Sequence, residues 1–132
     1  LPDHVLVVQV DGDDFLAHDR AIERIAQEHM DKNVWLSCSQ LMYYPEGNNG
    51  SWLSEEFPQY VLDNNSFRSY KWVTYHVKTF YAGLFKRIKR EDLLHNGEFF
   101  PMTWDFAIMF PMLEMASRGH ISFIPDILYV YN

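Results

Sequence analysis

The densest chemical signal in this sequence is Asp11-Gly12-Asp13-Asp14, three carboxylates around one glycine, placed directly after the apolar run Val5 to Val10. An apolar run rich in β-branched Val predicts a strand buried on both faces, as at the centre of a parallel sheet. In open α/β sheets ligands bind just outside the carboxyl ends of strands, so the acids stand where a site is expected. Three acids so close repel one another, and a hard divalent cation that accepts carboxylate oxygens is the usual compensation. Gly12 suits such a turn, because it permits a positive φ or a close backbone approach to a ligand. The plainer alternative is a solvated loop that opens the next helix.

A second acid stands apart from its surroundings. Asp105 lies at the start of Trp104 to Arg118, a stretch apolar on most faces, which predicts a buried helix that accommodates Pro111. There it either answers the positive end of the helix dipole or is held beside apolar rings in a position to take a proton. Glu114 falls on the opposite face and cannot be its partner, so Asp105 acts alone or with the strand-end acids. The cations Lys86, Arg87, Lys89 and Arg90 stand at the end of a predicted helix over Thr79 to Ile88, where they complement its dipole or contact an anion. His76, just ahead of that helix, reads as a capping or packing residue. Cys38 sits in the apolar context Val34 to Cys38 with no basic neighbour, which marks a buried structural thiol rather than a nucleophile.

The elements that would carry these residues alternate. An amphipathic helix is predicted over Ala17 to Met30, with Ala17, Ala21 and Ile25 on one stripe. Asn33 to Tyr44 supplies one strand or two, closed by Pro45 and the turn-rich Glu46 to Gly50. Ser51 to Trp72 scatters aromatic residues without period and predicts irregular structure with one short helix, forming a cover over the core or a binding wall. Short strands are expected over His120 to Ile124 and Ile127 to Tyr131, split by Pro125-Asp126, after a helix stop at Gly119. Strand, helix, strand is the order of an α/β layer.

Composition narrows the classes. With 132 residues, 48% hydrophobic and 17% aromatic, the chain can bury a sizeable core. It has no apolar run near the length of a membrane span. Its net charge of −7 argues against a general nucleic-acid binder. One cysteine permits no internal disulfide, a usage that suits a reducing, cytoplasmic setting. The Asn49-Gly50-Ser51 and Asn64-Asn65-Ser66 triplets read as polar loops. The chain opens on Leu1 and reaches a central-type strand within four residues, the pattern expected of an internal piece of a longer protein.

Val10-Asp11-Gly12-Asp13-Asp14-Phe15-Leu16 followed by an amphipathic helix resembles the Asp-x-Asp-Asp segment of glycosyltransferases of family two, GT-A type. Trp104 to Met109, and then Gly119 to Tyr131 with its Ile124-Pro125-Asp126-Ile127-Leu128-Tyr129, look like that family's acidic helix and closing strand. The resemblance implies a partial GT-A three-layer sandwich with a mixed sheet, in which residues 1–132 are the carboxyl-terminal portion of one catalytic domain and the nucleotide-gripping units lie before Leu1. It implies transfer of a sugar, with inversion, from a nucleotide-sugar donor to a saccharide or other hydroxyl acceptor. Asp11 and Asp13 would hold Mn2+ or Mg2+ on the donor diphosphate, Asp14 would join them at the donor, and Asp105 would be the base. Where the family carries Glu-Asp ahead of the aromatic residue of the acidic helix, this chain has Met102 and Thr103, so the base falls to Asp105. A haloacid-dehalogenase type phosphohydrolase also places Asp-x-Asp after an apolar strand, with Asp11 as nucleophile and Ser37 or Ser39 as the hydroxyl residue, but no paired acids follow a later strand. A non-catalytic fragment or interaction module is the third possibility.

Overall fold

The structure, a computed structural model, describes residues 1–47 and 53–132. Asn48, Asn49, Gly50, Ser51 and Trp52 fall outside, and with them the end of the predicted turn and the first of the two polar triplets. Among the described residues, seven strands and four α-helices follow in the order β1 (Leu6–Gln9), β2 (Phe15–Leu16), α1 (Ala21–Lys32), β3 (Leu36–Tyr43), α2 (Gln59–Asn64), β4 (Lys78–Tyr81), α3 (Ala82–Phe85), β5 (Leu94–His95), β6 (Glu98–Phe99), α4 (Trp104–Ala116) and β7 (Ile121–Tyr131). Five strands form one mixed sheet in the order β1-β4-β3-β7-β2, and β5 and β6 form a small separate hairpin. This is an α/β fold with a single main sheet.

Register assigns the faces. Val7 opposes Phe80, which opposes Leu36, and these three belong with Met109, Met112, Leu113 and Ala116 of α4 in one apolar cluster. The intervening residues Leu6 and Val8 belong with Ala21 and Ile25 of α1, Leu41, Val77, Ile124 and Leu128 in the other. Alternation along each strand therefore sends one set of side chains to α4 and the other to α1, and each helix presents its apolar stripe to its own sheet face. The segment expected to cover the core or line a site does the first: Phe57, Val61 and Phe67 are buried against the α4 cluster, with the Phe57 and Phe67 rings at 5.0 Å.

Three expectations require correction. The strand at Val5 to Val10 exists, yet β1 is an edge strand with half-buried residues and one antiparallel partner, not the centre of a parallel sheet. Its apolar run reflects two covered faces, which an edge strand shares with a central one. The region expected to be helical from Thr79 to Ile88 is instead the strand β4 followed by the single turn α3. Over so short a stretch Phe80, Leu84 and Ile88 satisfy a helical period while Val77, Thr79 and Tyr81 alternate with Lys78 and Phe80. The free edges of β1 and β3, both antiparallel to β4, decide in favour of the strand. The two closing strands are one, β7, whose pairing with β3 skips from Ser39–Ile124 to Gln40–Ile127, so that Pro125 and Asp126 bulge out.

Smaller differences have equally local causes. Helix α1 begins at Ala21 rather than Ala17 because Phe15 and Leu16 pair with β7 and the Ala17 N–H continues that ladder to the Leu128 carbonyl at 3.0 Å. It ends at Asn33 in the left-handed conformation (φ 52). Gly119 stops α4 as expected, at φ +85, whereas Gly12 does not take a positive φ. Cys38 is buried, and burial pushes its thiol up to about 12, as for an inert structural residue.

Polar groups buried under α1 tie the helix to the sheet. His29 accepts from or donates to Thr79 Oγ1 at 2.8 Å through Nε2 and meets the Val34 carbonyl at 2.9 Å through Nδ1. Burial lowers its pKa below 6.5, against the smaller upward pull of the Val34 carbonyl and the Glu28 charge. Glu28 is paired with Arg24 at 2.9 Å and Lys32 at 2.8 Å and accepts from Ser122. Burial pushes its carboxyl up, but the hydrogen bonds from Lys32, Ser122 and Arg24 outweigh it and bring the pKa from 4.5 to about 2. A histidine with a depressed folded pKa binds fewer protons than in the unfolded chain, so stability falls as pH drops through 6.5. A carboxylate with a depressed folded pKa contributes stability above 4.5 that is lost as pH falls towards about 2. Thermal melts followed by circular dichroism should therefore show two acid-side declines. His29→Gln shrinks the first, to which the buried His76 also contributes, and Glu28→Gln shrinks the second; declines insensitive to both substitutions would refute the assignment.

Candidate functional site

The chain turns sharply after β1. The Asp14 N–H donates to the Asp11 carbonyl at 3.1 Å, which closes the acid turn on itself. The far end of β7 then holds that turn. Tyr129, fully buried, accepts the Asp11 N–H at 3.2 Å and donates its hydroxyl to Asp14 Oδ2 at 2.6 Å. The Asn132 N–H donates to Asp14 Oδ1 at 2.8 Å, and its side-chain amide donates to the Asp13 carbonyl at 3.0 Å. Burial, together with the bond to Asp14, raises the Tyr129 phenol well above its ordinary value, so it stays protonated and remains a donor. Asp14 is thus occupied by Tyr129 and Asn132 and serves to orient the turn. Asp13 is exposed, and among the described residues no group donates to its carboxylate.

Asp11 connects to the sheet interior. Its Oδ2 lies 3.4 Å from Nε2 of His76, whose ring stacks on Tyr129 with centroids 4.8 Å apart and planes 17° from parallel. The same Nε2 lies 3.4 Å from Nζ of Lys78. Lys78 is 1% exposed, and its Nζ approaches Asp105 Oδ1 at 2.8 Å, a charge contact without hydrogen-bond alignment. Lys78 at the start of β4 and His76, two residues ahead of that strand, therefore bridge the acid turn to the first turn of α4. The chain Asp11, His76, Lys78, Asp105 is continuous, and the two predicted acid sites belong to one polar cluster. Burial, then the adjacent Lys78 charge, lowers the His76 pKa below 6.5 against the pull of the acids around it, so its ring is neutral at neutral pH.

The approach to Asp105 is also shaped by the backbone. Thr103, just ahead of α4, has φ 57, and a β-branched residue occupies that region only at a cost of about 1–3 kcal/mol. Beyond it Trp104 and Phe106, which flank Asp105, remain partly exposed, while Met109, Met112, Leu113 and Ala116 of the same helix are buried.

Among the described residues, no group of three or more His, Cys, Asp or Glu side chains gathers around a point where a cation would sit. Asp11 and Asp13 offer two oxygen donors, a set suited to a hard cation such as Mg2+ that completes its coordination with waters and substrate phosphates. Among the described residues no group donates to the Asp13 carboxylate and Asp11 has only the His76 contact, whereas both oxygens of Asp14 are engaged.

Sequence reasoning missed Lys78 and Tyr129 and took His76 for a capping or packing residue. Reading Lys78 to Tyr81 as a strand would have set Lys78 on the same face as Phe80, the signal that was present; His76, ahead of the strand, carried no such signal. A cavity of about 640 Å³, lined by Asp3, His4, Trp35, Tyr81 and Arg87 among others, touches none of these residues. It opens at the Tyr81 end of β4, away from His76. No protein-family model and no curated protein sequence matches the chain. No helix among the described residues is long and apolar enough to cross a membrane.

A desolvated ammonium with one carboxylate partner makes the Lys78–Asp105 contact energetically asymmetric. Removing Asp105 strands a charge that water cannot reach, whereas removing both leaves only a volume to fill. Asp105→Leu should destabilise by about 3–5 kcal/mol, and Lys78→Met/Asp105→Leu by distinctly less than the sum of its single substitutions. Urea denaturation of the four proteins checks this, and strict additivity would show that the pair is not coupled.

Proposed function

We propose that the chain carries the metal-binding and acceptor-side residues of a glycosyltransferase of the family-two, GT-A type. It transfers a sugar from a nucleotide-sugar donor to an acceptor hydroxyl. The observation that supports the reading is the single polar cluster joining the acid turn after β1 to Asp105 at the start of α4. Such transfer needs a cation on the diphosphate side and a proton acceptor on the side of the incoming hydroxyl.

In this reading Asp11 and Asp13 hold Mn2+ or Mg2+, which would neutralise charge on the departing diphosphate. Tyr129 and Asn132, through Asp14, keep the turn in place. Asp105, a third exposed, accepts the acceptor proton, and Lys78 beneath it holds the carboxylate in place. The phosphohydrolase alternative draws less support from the geometry. The strand that carries its first acid, β1, is an antiparallel edge of the sheet. Ser37 is engaged with Thr79 at 2.6 Å beneath α1, and Ser39 accepts the Val77 N–H at 3.1 Å, so neither hydroxyl faces the acids freely.

Two substitutions test the roles separately. Asp13→Ala should abolish metal-dependent binding of nucleoside diphosphates in calorimetric titrations with Mn2+, and unchanged binding would sink the metal assignment. Asp105→Asn should lower turnover by about 10²–10⁴-fold with donor affinity nearly preserved. Assay of a nucleotide-sugar panel with and without Mn2+ or Mg2+ gives both readings. Near-normal turnover would transfer the proton to another group.

A further inference from the structure

The cavity of about 640 Å³ at the Tyr81 end of β4 lies apart from the polar cluster. Strand β1 runs from it to the acid turn, since Leu6 opposes Tyr81 and Gln9 opposes Lys78. At about 3.3 Å per residue, roughly 15 Å of strand separates the cavity from Asp11. A cavity of this volume suits a small molecule. Two of its walls are rings held in place by their neighbours. The Trp35 indole stacks on His120 with centroids 3.7 Å apart and planes 1° from parallel, and its Nε1–H donates to Asn33 Oδ1 at 3.3 Å. Tyr81 meets His29 edge to face at 5.5 Å. His120 covers one face of the indole, and Trp35 remains 36% exposed where it borders the cavity. Rings fixed in this way offer flat contact area that is already ordered before a ligand arrives.

The polar lining is unequal in sign. Asp3 is held by Lys86 at 2.7 Å, whereas among the described residues no carboxylate pairs with Arg87. Arg87 therefore presents a planar fork of N–H donors without an acidic partner, and such a fork binds a carboxylate or phosphate through two parallel bonds. The Asn33 amide adds N–H donors, because its oxygen is the atom that Trp35 engages. Flat apolar walls with surplus donors select a ligand that is flat at one end and negative at the other. We propose that this cavity is a second ligand site, separate from the acid cluster, for a planar aromatic ring bearing an anionic group. The ring lies against Trp35 and Tyr81, and the anionic group lies on Arg87. A nucleotide phosphate and an aromatic carboxylate share this chemistry. The inference does not use the roles given above to Asp11, Asp13 and Asp105, and the site needs no metal.

Nuclear magnetic resonance spectra of the full chain in EDTA follow the indole N–H of Trp35 and the methyl group of Met115, which also lines the cavity. The probes are adenosine 5′-monophosphate and benzoate, with adenosine and benzamide as their uncharged counterparts. At least one of the two anions should displace both signals saturably and bind about tenfold or more tightly than its uncharged counterpart. Whichever anion binds more tightly tells phosphate from carboxylate as the group on Arg87. Arg87→Gln, a change at an exposed residue, should weaken that anion about tenfold or more and leave the uncharged counterpart unchanged. Trp35→Leu should weaken both members of the pair, and Arg87→Gln carries the test alone if that variant fails to fold. Asp13→Ala should leave binding in EDTA unchanged, so failure of the metal assignment and failure of this site read out separately. The proposal is overturned if neither anion displaces the Trp35 signal, if anion and counterpart bind equally, or if binding survives Arg87→Gln undiminished.

Discussion

The ammonium of Lys78 is out of reach of water, and its compensation constrains much of the molecule around it. A lysine almost never loses its hydration unless a carboxylate and further polar groups replace it. Asp105 supplies the charge, and it can do so only because α4 begins where it does, over the α4-facing side of β4. His76, two residues earlier on the same segment, supplies a second polar contact and extends the contact to Asp11. One buried cation thereby fixes the start of a helix relative to a strand and relative to the turn after another strand.

The apolar packing is arranged so that this is possible. Leu36, Phe80 and Val7 form a row across three strands beneath Met109, Met112 and Leu113, which anchors the middle of α4. The polar pair lies one step along β4 from Phe80 on the same face, where Cys38 and Gln9 are its cross-strand neighbours. Burial of the row is non-directional and sets the distance between helix and sheet. The ion pair is directional and sets the orientation of the first helical turn. On the other face the buried groups of α1, His29 and Glu28, are matched by Thr79 and by Arg24, Lys32 and Ser122, so each helix is held by apolar area and oriented by a few polar contacts.

The acid turn shows how like charges are accommodated side by side. Asp14 is stabilised by the Tyr129 hydroxyl and by the Asn132 backbone, Asp11 lies against His76, and Asp13 points to solvent where its charge is hydrated. Each carboxylate has a different environment, so the three are not interchangeable. That difference supports reading Asp11 and Asp13 as the groups open to a ligand and Asp14 as the one that orients the turn.

What the sequence determined alone is local. The strand before Asp11, the body of helix α1, the strand through Leu36 to Tyr43, and α4 with Asp105 in its first turn follow from periodicity and from the placement of glycine and asparagine, because each depends on neighbours a few residues away. The burial of Cys38 follows from its apolar context in the same way. What only the tertiary structure decided is which free edge a strand meets and which distant group a polar side chain finds. Val77 to Leu84 satisfies helix and strand patterns together, and the edges of β1 and β3 resolve it; β1 itself has the same apolar run at an edge that it would have at a centre. The bonding of Asp14 to Tyr129, 115 residues away, and of Asp105 to Lys78 has no local trace, because charge pairing acts through space and a carboxylate records nothing in sequence about the donor that will reach it.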